Sequence, residues 1–316
     1  MARNNLRSRI VTGMMILPAV ATFVVLLWSV HGVFDMHSWA GLLATGVMTY
    51  FLVELNNRNA LLRIRSRMIG VTFLCVISAL PFLHEWDVSY VPALCLILSF
   101  FCLFSSYGER DAGGQVCYAF ALVGLGSLFC PQFILIALAF WISMLWQLRT
   151  MSLRHFWASL LGLCLPYWIY GAWHVWHSTL MEWLDTLVAQ WQFEMPCYQG
   201  LPLSVVASFA LLAGLTLIAL IHYLRTAYND KIRVRMLYYT IITVLMVVLL
   251  ALVFHPSDYQ VWLRAFVVCC APLIGHHLSL SRGRGADVWF YVSVLLVVVL
   301  GVFNFFDIWN NLFNFS

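Results

Sequence analysis

Five side chains in this 316-residue sequence have the chemistry of a reactive site: Asp35, Glu85, His174, Asp258 and Arg264. A carboxylate such as Asp35 or Glu85 can act as a general base, Asp258 offers a third acid, and a histidine passes protons near neutral pH. The guanidinium of Arg264 can grip a phosphate or carboxylate through two parallel hydrogen bonds. The set suits transfer chemistry on a phosphate-bearing substrate, with Asp35 or Glu85 as base and Arg264 holding the phosphate. Arg264 has a plainer reading too, in which it snorkels to an interface or pairs with Asp258 or another acid. His174, His177 and Asp185 are spaced to share one helical face, which would fit a metal ligand set or a proton relay. Histidine is also common at the level of lipid headgroups, and no metal or other cofactor is expected.

What must position these groups follows from composition. The chain is 63% hydrophobic and only 9% charged, against roughly 25% charged residues in ordinary soluble domains. Its solvent is therefore lipid, in which only helices or a closed barrel satisfy the backbone. Val20–Trp28, Leu94–Phe104 and Tyr291–Val302 are nearly unbroken apolar runs without the alternation of barrel strands. The expected fold is all-α, one integral-membrane helical bundle over residues 1–316 with no soluble domain. Spans fall near 10–31, 39–55, 68–84, 88–106, 115–130, 132–148, 156–176, 201–222, 236–254, 260–276 and 288–309, which makes about eleven, with ten to twelve allowed by the short ones.

All but one of the 17 lysines and arginines then lie in alternate gaps, Arg264 being the exception. The positive-inside rule puts those gaps, and the N-terminus with Arg3, Arg7 and Arg9, in the cytoplasm, and the C-terminus outside. The opposite gaps hold Asp35, Glu85, Asp87, Glu182, Asp185, Glu194 and Asp258. The run from Ile10 to His31 is longer than the core of a secretory signal, so it reads as a retained first span. The middles of the spans carry no ionisable residue, which weighs against a transporter coupled through buried carboxylates. Pro18, Pro166 and Pro272 should kink their spans, and Cys130-Pro131 should be a tight turn.

The longest external gap repeats Leu180, Leu184, Leu187, Val188 and Trp191 at helical spacing among acids and amides. That predicts an amphipathic helix near 178–195 lying in the outer interface. Of nine cysteines, seven lie in apolar runs as small hydrophobes. Cys130 and Cys197 both fall at the external face, where they could pair. On the inner side, Glu54 to Arg67 carries Arg58, Arg63, Arg65 and Arg67, a positive loop suited to anionic lipid and, secondarily, to phosphate or nucleotide. Tyr107–Gly114 has no P-loop lysine and reads as a turn. His276-His277 and the basic stretch after them imply no ligand geometry. With the charge modest and confined to one side, nucleic acid is not an expected partner.

Leu55-Asn-Asn-Arg-Asn59, Ser105, Ala119 through Gly126-Ser-Leu-Phe129, and Gly162-Leu-Cys-Leu-Pro-Tyr167 together resemble an uncharacterised family of bacterial multi-pass inner-membrane proteins over residues 51–170. The resemblance implies a bacterial inner membrane and carries no catalytic residues. Three functions are open. The first is a non-catalytic component of cell-envelope assembly, partnered by membrane lipids and other envelope proteins. The second is a lipid-linked glycan transferase or ligase working at the external face on a polyprenyl-linked substrate. The chain is similar to such enzymes in its many spans, external acids and interfacial helix, and departs from them in its short link Gly32–Ser38. The third is a permease.

Overall fold

The computed structural model describes residues 6–32, 36–109, 111–190, 198, 201–281, 283–306 and 308–309. Among them every regular element is helical. The helices are α1 (Leu6–Thr12), α2 (Ile16–Gly32), α3 (Met36–Asn59), α4 (Met68–Ser78), α5 (Tyr90–Ser105), α6 (Gly113–Phe129), α7 (Leu135–Trp146), α8 (Leu153–Trp176), α9 (Leu180–Gln190), α10 (Leu203–Thr226), α11 (Ile232–Phe254), α12 (Tyr259–Leu280) and α13 (Arg284–Phe305). Single 3-10 turns occur at Pro81–Leu83, Pro131–Ile134, Ala227–Asn229 and Pro256–Asp258. Among the described residues five segments are long and apolar enough to cross a membrane: Met36–Asn59, Leu203–Asn229, Ile232–Phe254, Pro256–Leu280 and Gly285–Phe305. This is a membrane protein. At about 1.5 Å per residue such helices match a hydrocarbon core of about 30 Å, whereas the 11 residues of α4 reach only about half of it.

Prolines account for most departures from the expected boundaries. The run 10–31 is two helices rather than one, because Pro18 occupies the first turn of α2, where its missing N–H leaves nothing unpaired. The segment 68–84 stops being α-helical at Ser78. Leu80, just before Pro81, is pushed out of the helical region to φ −119° and ψ 76°, as pre-proline residues are. Cys130 is extended between α6 and the turn at Pro131, as its sequence suggests. Pro166 and Pro272 instead lie inside α8 and α12, which continue through them.

The chain divides into two compact units. Unit 1 comprises Met1–Asp87, Gln199–Lys231 and Val267–Ser316, and unit 2 comprises Val88–Tyr198 and Ile232–Phe266. In unit 1, α2, α3 and α4 pack together. A Cβ added at Gly41 of α3 would lie 1.9 Å from the His84 carbonyl oxygen, so only glycine permits this approach. The Trp28 indole stacks on the His84 ring at 3.6 Å and donates to the Ser38 carbonyl at 3.0 Å. Asn304 of α13 donates to the Ala79 carbonyl and to Ser208 Oγ, both at 2.9 Å, joining α13 to α4 and α10.

In unit 2, α6 lies between α5 and α8, and α7 packs on α11. The α6–α8 contact is backbone to backbone. A Cβ at Gly162 would sit 2.2 Å from the Cys117 carbonyl oxygen, and one at Gly124 would sit 2.5 Å from that of Leu163. Small residues at helix crossings let membrane helices gain dispersion contact where lipid offers no hydrophobic drive. Tyr167 donates to Ser127 Oγ at 2.8 Å across the same interface. Helix α9 buries no residue, and its Trp183 packs on Tyr170 of α8 at 5.5 Å.

Gly162→Leu is therefore expected to lower stability by about 1–3 kcal/mol through overpacking, read as a drop in the detergent-solubilised melting temperature. Gly214→Ala, whose Cβ would meet nothing within 4 Å, is the matched control and should leave it unchanged or slightly raised.

Candidate functional site

The most developed polar site lies at one end of unit 1. Helix α3 ends at Asn59, and Ala60 turns the chain in a left-handed conformation, φ 49°. The segment that follows has no helix or strand to hold it, so side chains do so. Buried Asn56 donates from Nδ2 to the Ser66 carbonyl and accepts from the Leu62 N–H, both at 3.1 Å. Buried Ser66 donates to the Val11 carbonyl of α1 at 2.6 Å and accepts from the Met68 N–H at 3.2 Å. Pinned in this way, the alternating Arg63, Arg65 and Arg67 remain exposed and line one cavity of about 840 Å³, together with Asn57 and Thr12. Three guanidinium groups on one loop have the chemistry to bind an anion with several oxygens, because each offers a planar fork of donors.

Behind the loop sits a buried acid. Asp230, whose side chain has no exposed surface, lies with Oδ1 2.5 Å from Arg63 Nε and Oδ2 3.1 Å from His276 Nε2. The His276 ring meets Tyr223 edge-on at 4.9 Å, and His277 meets His222 at 4.3 Å. Arg7 of α1 closes the same end. Its guanidinium donates to the Leu278 and Ser281 carbonyls at 2.8 Å and to Ser281 Oγ at 2.7 Å, and pairs with Asp287 at 3.1 Å. Four segments that are separate basic gaps in the sequence thus meet at one end of unit 1.

The residues expected to react are placed elsewhere. Asp35 lies outside the described residues. Glu85 is exposed after the turn at Pro81–Leu83, at the far end of α4 from Arg67, in a loop anchored by the Trp86 N–H to the His37 carbonyl at 3.0 Å. His174 is half-buried in an aromatic cluster of unit 2, parallel to Trp183 at 5.4 Å and edge-on to Tyr170 at 4.6 Å, with Nδ1 2.7 Å from Thr179 Oγ1. His177 Nδ1 instead bonds the Trp173 carbonyl at 2.9 Å. Among the described residues no three His, Cys, Asp or Glu side chains are grouped to hold a metal. Asp258 is half-buried in the turn before α12.

Arg264 does not snorkel. It is 1% exposed, donates to Ser89 Oγ, and lies 3.8 Å from the centre of the Tyr90 ring. The neighbours of His174 come from α8 and α9, and these neighbours of Arg264 come from the start of α5. Cys130 is buried with its Sγ 3.3 Å from Gln132 Oε1, while Cys197 lies outside the described residues.

Sequence reasoning missed Asp230 and His222, and set His276 and His277 aside as part of a flexible basic loop, whereas both lie on α12. One signal was available, since Asp230 is an isolated acid in a gap that otherwise holds Arg225, Lys231, Arg233 and Arg235. Comparison with known protein families, with curated proteins and with solved structures finds no match for this chain.

Removing the buried acid should be costly because it strands Arg63 and His276 together. Asp230→Ala is expected to destabilise by about 3 kcal/mol, at the low end for breaking a buried pair since Arg63 keeps access to water. Glu54→Ala, which breaks the exposed pair with Arg58, should stay below about 1 kcal/mol. Melting of the two purified variants side by side reads the difference.

Proposed function

We propose that this protein is a non-catalytic component of cell-envelope assembly in the bacterial inner membrane, and that its arginine cavity holds the phosphate of an anionic lipid. The observation that carries this reading is the convergence of Arg63, Arg65 and Arg67 on one cavity from a loop fixed by Asn56 and Ser66. Nearby carboxylates are engaged by cations, Glu54 by Arg58 and Asp230 by Arg63, which leaves a surplus of positive charge for the ligand. A glycan transferase at the opposite face would need Arg264 to reach its substrate, and that guanidinium is covered by Ser89 and Tyr90.

In unit 2 an apolar groove of about 750 Å³ between α6 and α8, lined by Leu122, Leu125, Leu165, Ile169 and Trp173, offers a surface for lipid chains or for a helix of another envelope protein. About eleven crossings, a cytoplasmic N-terminus and an external C-terminus complete the proposal. The family resemblance over 51–170 and the alternation of basic gaps support this arrangement. The arginine cavity then opens at the cytoplasmic headgroup level.

Near an anionic surface each arginine contributes about 1 kcal/mol, so Arg65→Ala with Arg67→Ala should weaken retention of phosphatidic acid by roughly 30-fold. Titration of the full chain in nanodiscs of neutral lipid measures this. Equal affinity for variant and parent would refute the site. Orientation has its own test: a phosphatase fused at the C-terminus should be active outside the cell membrane, and a fluorescent protein fused at the N-terminus should fluoresce inside.

A further inference from the structure

The charge offered by the arginine cavity depends on the acids around it. Arg63 is matched by Asp230, whose Oδ1 lies 2.5 Å from its Nε. The other contact of that acid, His276, is wholly buried and takes no part in the cavity's lining. Glu54 is held by Arg58. Arg65 and Arg67 are exposed, line the cavity, and make no ion pair among the described residues. Two positive charges are therefore left for an incoming anion, and no carboxylate among the described residues shares the lining to oppose it.

The lining is also rich in donors and poor in acceptors. Each unmatched guanidinium presents five N–H groups in a planar fork. The two buried polar side chains of the lining already have their oxygens in use, since Asn56 Oδ1 accepts from the Leu62 N–H and Ser66 Oγ from the Met68 N–H. Such a surface favours an anion with much charge spread over several terminal oxygens. Near pH 7 a phosphate monoester carries roughly two negative charges on three such oxygens, and a phosphodiester has one fewer of each.

We infer that the arginine cavity selects a phosphate monoester dianion over a phosphodiester, and that Arg65 and Arg67 set this selection. The ligand class narrows from anionic lipids in general to those that end in an unsubstituted phosphate, a choice that rests on the phosphate reading of this cavity. In a diester one oxygen carries a second substituent, so a charged acceptor is lost where arginine donors are in surplus. Met14, exposed and part of the same lining, gives an apolar edge for the carbon skeleton beyond the phosphate, and exposed Met15 follows it.

The test measures binding to the full chain in nanodiscs of phosphatidylcholine, with phosphatidic acid as the monoester and phosphatidylglycerol as the diester. At about pH 7.5 phosphatidic acid should bind about fivefold more tightly, the effect of one further charge met by one arginine. Lowering the pH to about 5 passes the second ionisation of a phosphate monoester, near 6, so the preference should fall to about parity. Protonation of His222, His276 or His277, which lie together at this end of unit 1, alters the protein and moves both lipids together, so the ratio of the two affinities reports the charge of the ligand. Arg65→Gln and Arg67→Gln, made singly at exposed positions, should each bring that ratio toward parity. Soluble glycerol phosphate, the same monoester without acyl chains, separates the sources: displacement of phosphatidic acid at equal concentration would make the natural ligand a soluble monoester, and failure to displace it would make the ligand lipid-borne.

Equal affinity for the two lipids at the higher pH, or a preference that persists unchanged in both variants or at the lower pH, overturns the selection. In that case the combined Arg65→Ala and Arg67→Ala variant still weakens both lipids, and the cavity holds anionic lipid whatever the substitution of its phosphate. If the combined variant weakens neither, the anionic-lipid reading itself is what fails.

Discussion

A carboxylate that no water reaches organises one end of unit 1. An isolated ionised acid in such surroundings is strongly unfavourable and persists only when paired. Asp230 is paired twice, to Arg63 of the 60–67 segment and to His276 of α12. Because it follows directly on α10 and the turn at Ala227–Asn229, its two contacts fix the ends of two long helices and one irregular segment relative to each other. The segment most in need of such support is the one that presents Arg65 and Arg67. Backbone without helix or strand has to find hydrogen bonds elsewhere, and here Asn56 and Ser66 supply them. The placement of the cavity's arginines thus depends on an ion pair behind the loop.

Unit 2 is held by a different force. Its polar side-chain bonds, among them Tyr167 to Ser127, Trp141 to Ser159, Gln147 to Thr243 and Arg264 to Ser89, tie helix to helix without a twice-paired buried acid. What brings α6 and α8 together is the absence of side chains at Gly124 and Gly162, which lets carbonyl groups approach where any Cβ would collide. This close approach on one side leaves the flanking Leu122, Leu125 and Leu165 splayed around an open apolar groove. Close backbone approach adds to the polar bonds of unit 2, whereas a buried ion pair organises the arginine end of unit 1.

Element type was legible in the sequence because lipid leaves the backbone no other choice, and each long apolar run lies on a helix. Boundaries were less legible where proline intervened. Pro18, expected to kink one helix, lies instead in the first turn of a second one, α2, which begins at Ile16 after α1 ends at Thr12. The amphipathic stretch after His177 was visible from its periodicity, and α9 occupies Leu180–Gln190 of it. The site was read poorly for a definite reason. Attention to exposed acids and histidines favoured Glu85 and His174, whose surroundings are a loop anchor and an aromatic stack. The groups that build the cavity, Asp230 and His276, are distant in sequence and become partners only through the fold, so no local spacing announces them.

The same comparison shows why Arg63, among equals in sequence, differs from Arg65 and Arg67 in the structure. All three alternate along one segment and line one cavity, yet only Arg63 also touches the buried acid. A guanidinium can do this because its donors point in several in-plane directions, so that contact of Nε with Asp230 does not use up the terminal nitrogens. Lysine, a single charged point, would spend its charge on the acid alone. In a sequence whose cations are arginine at every position but Lys231, Arg63 is the one of the three that is a structural partner of the buried acid while also lining the cavity.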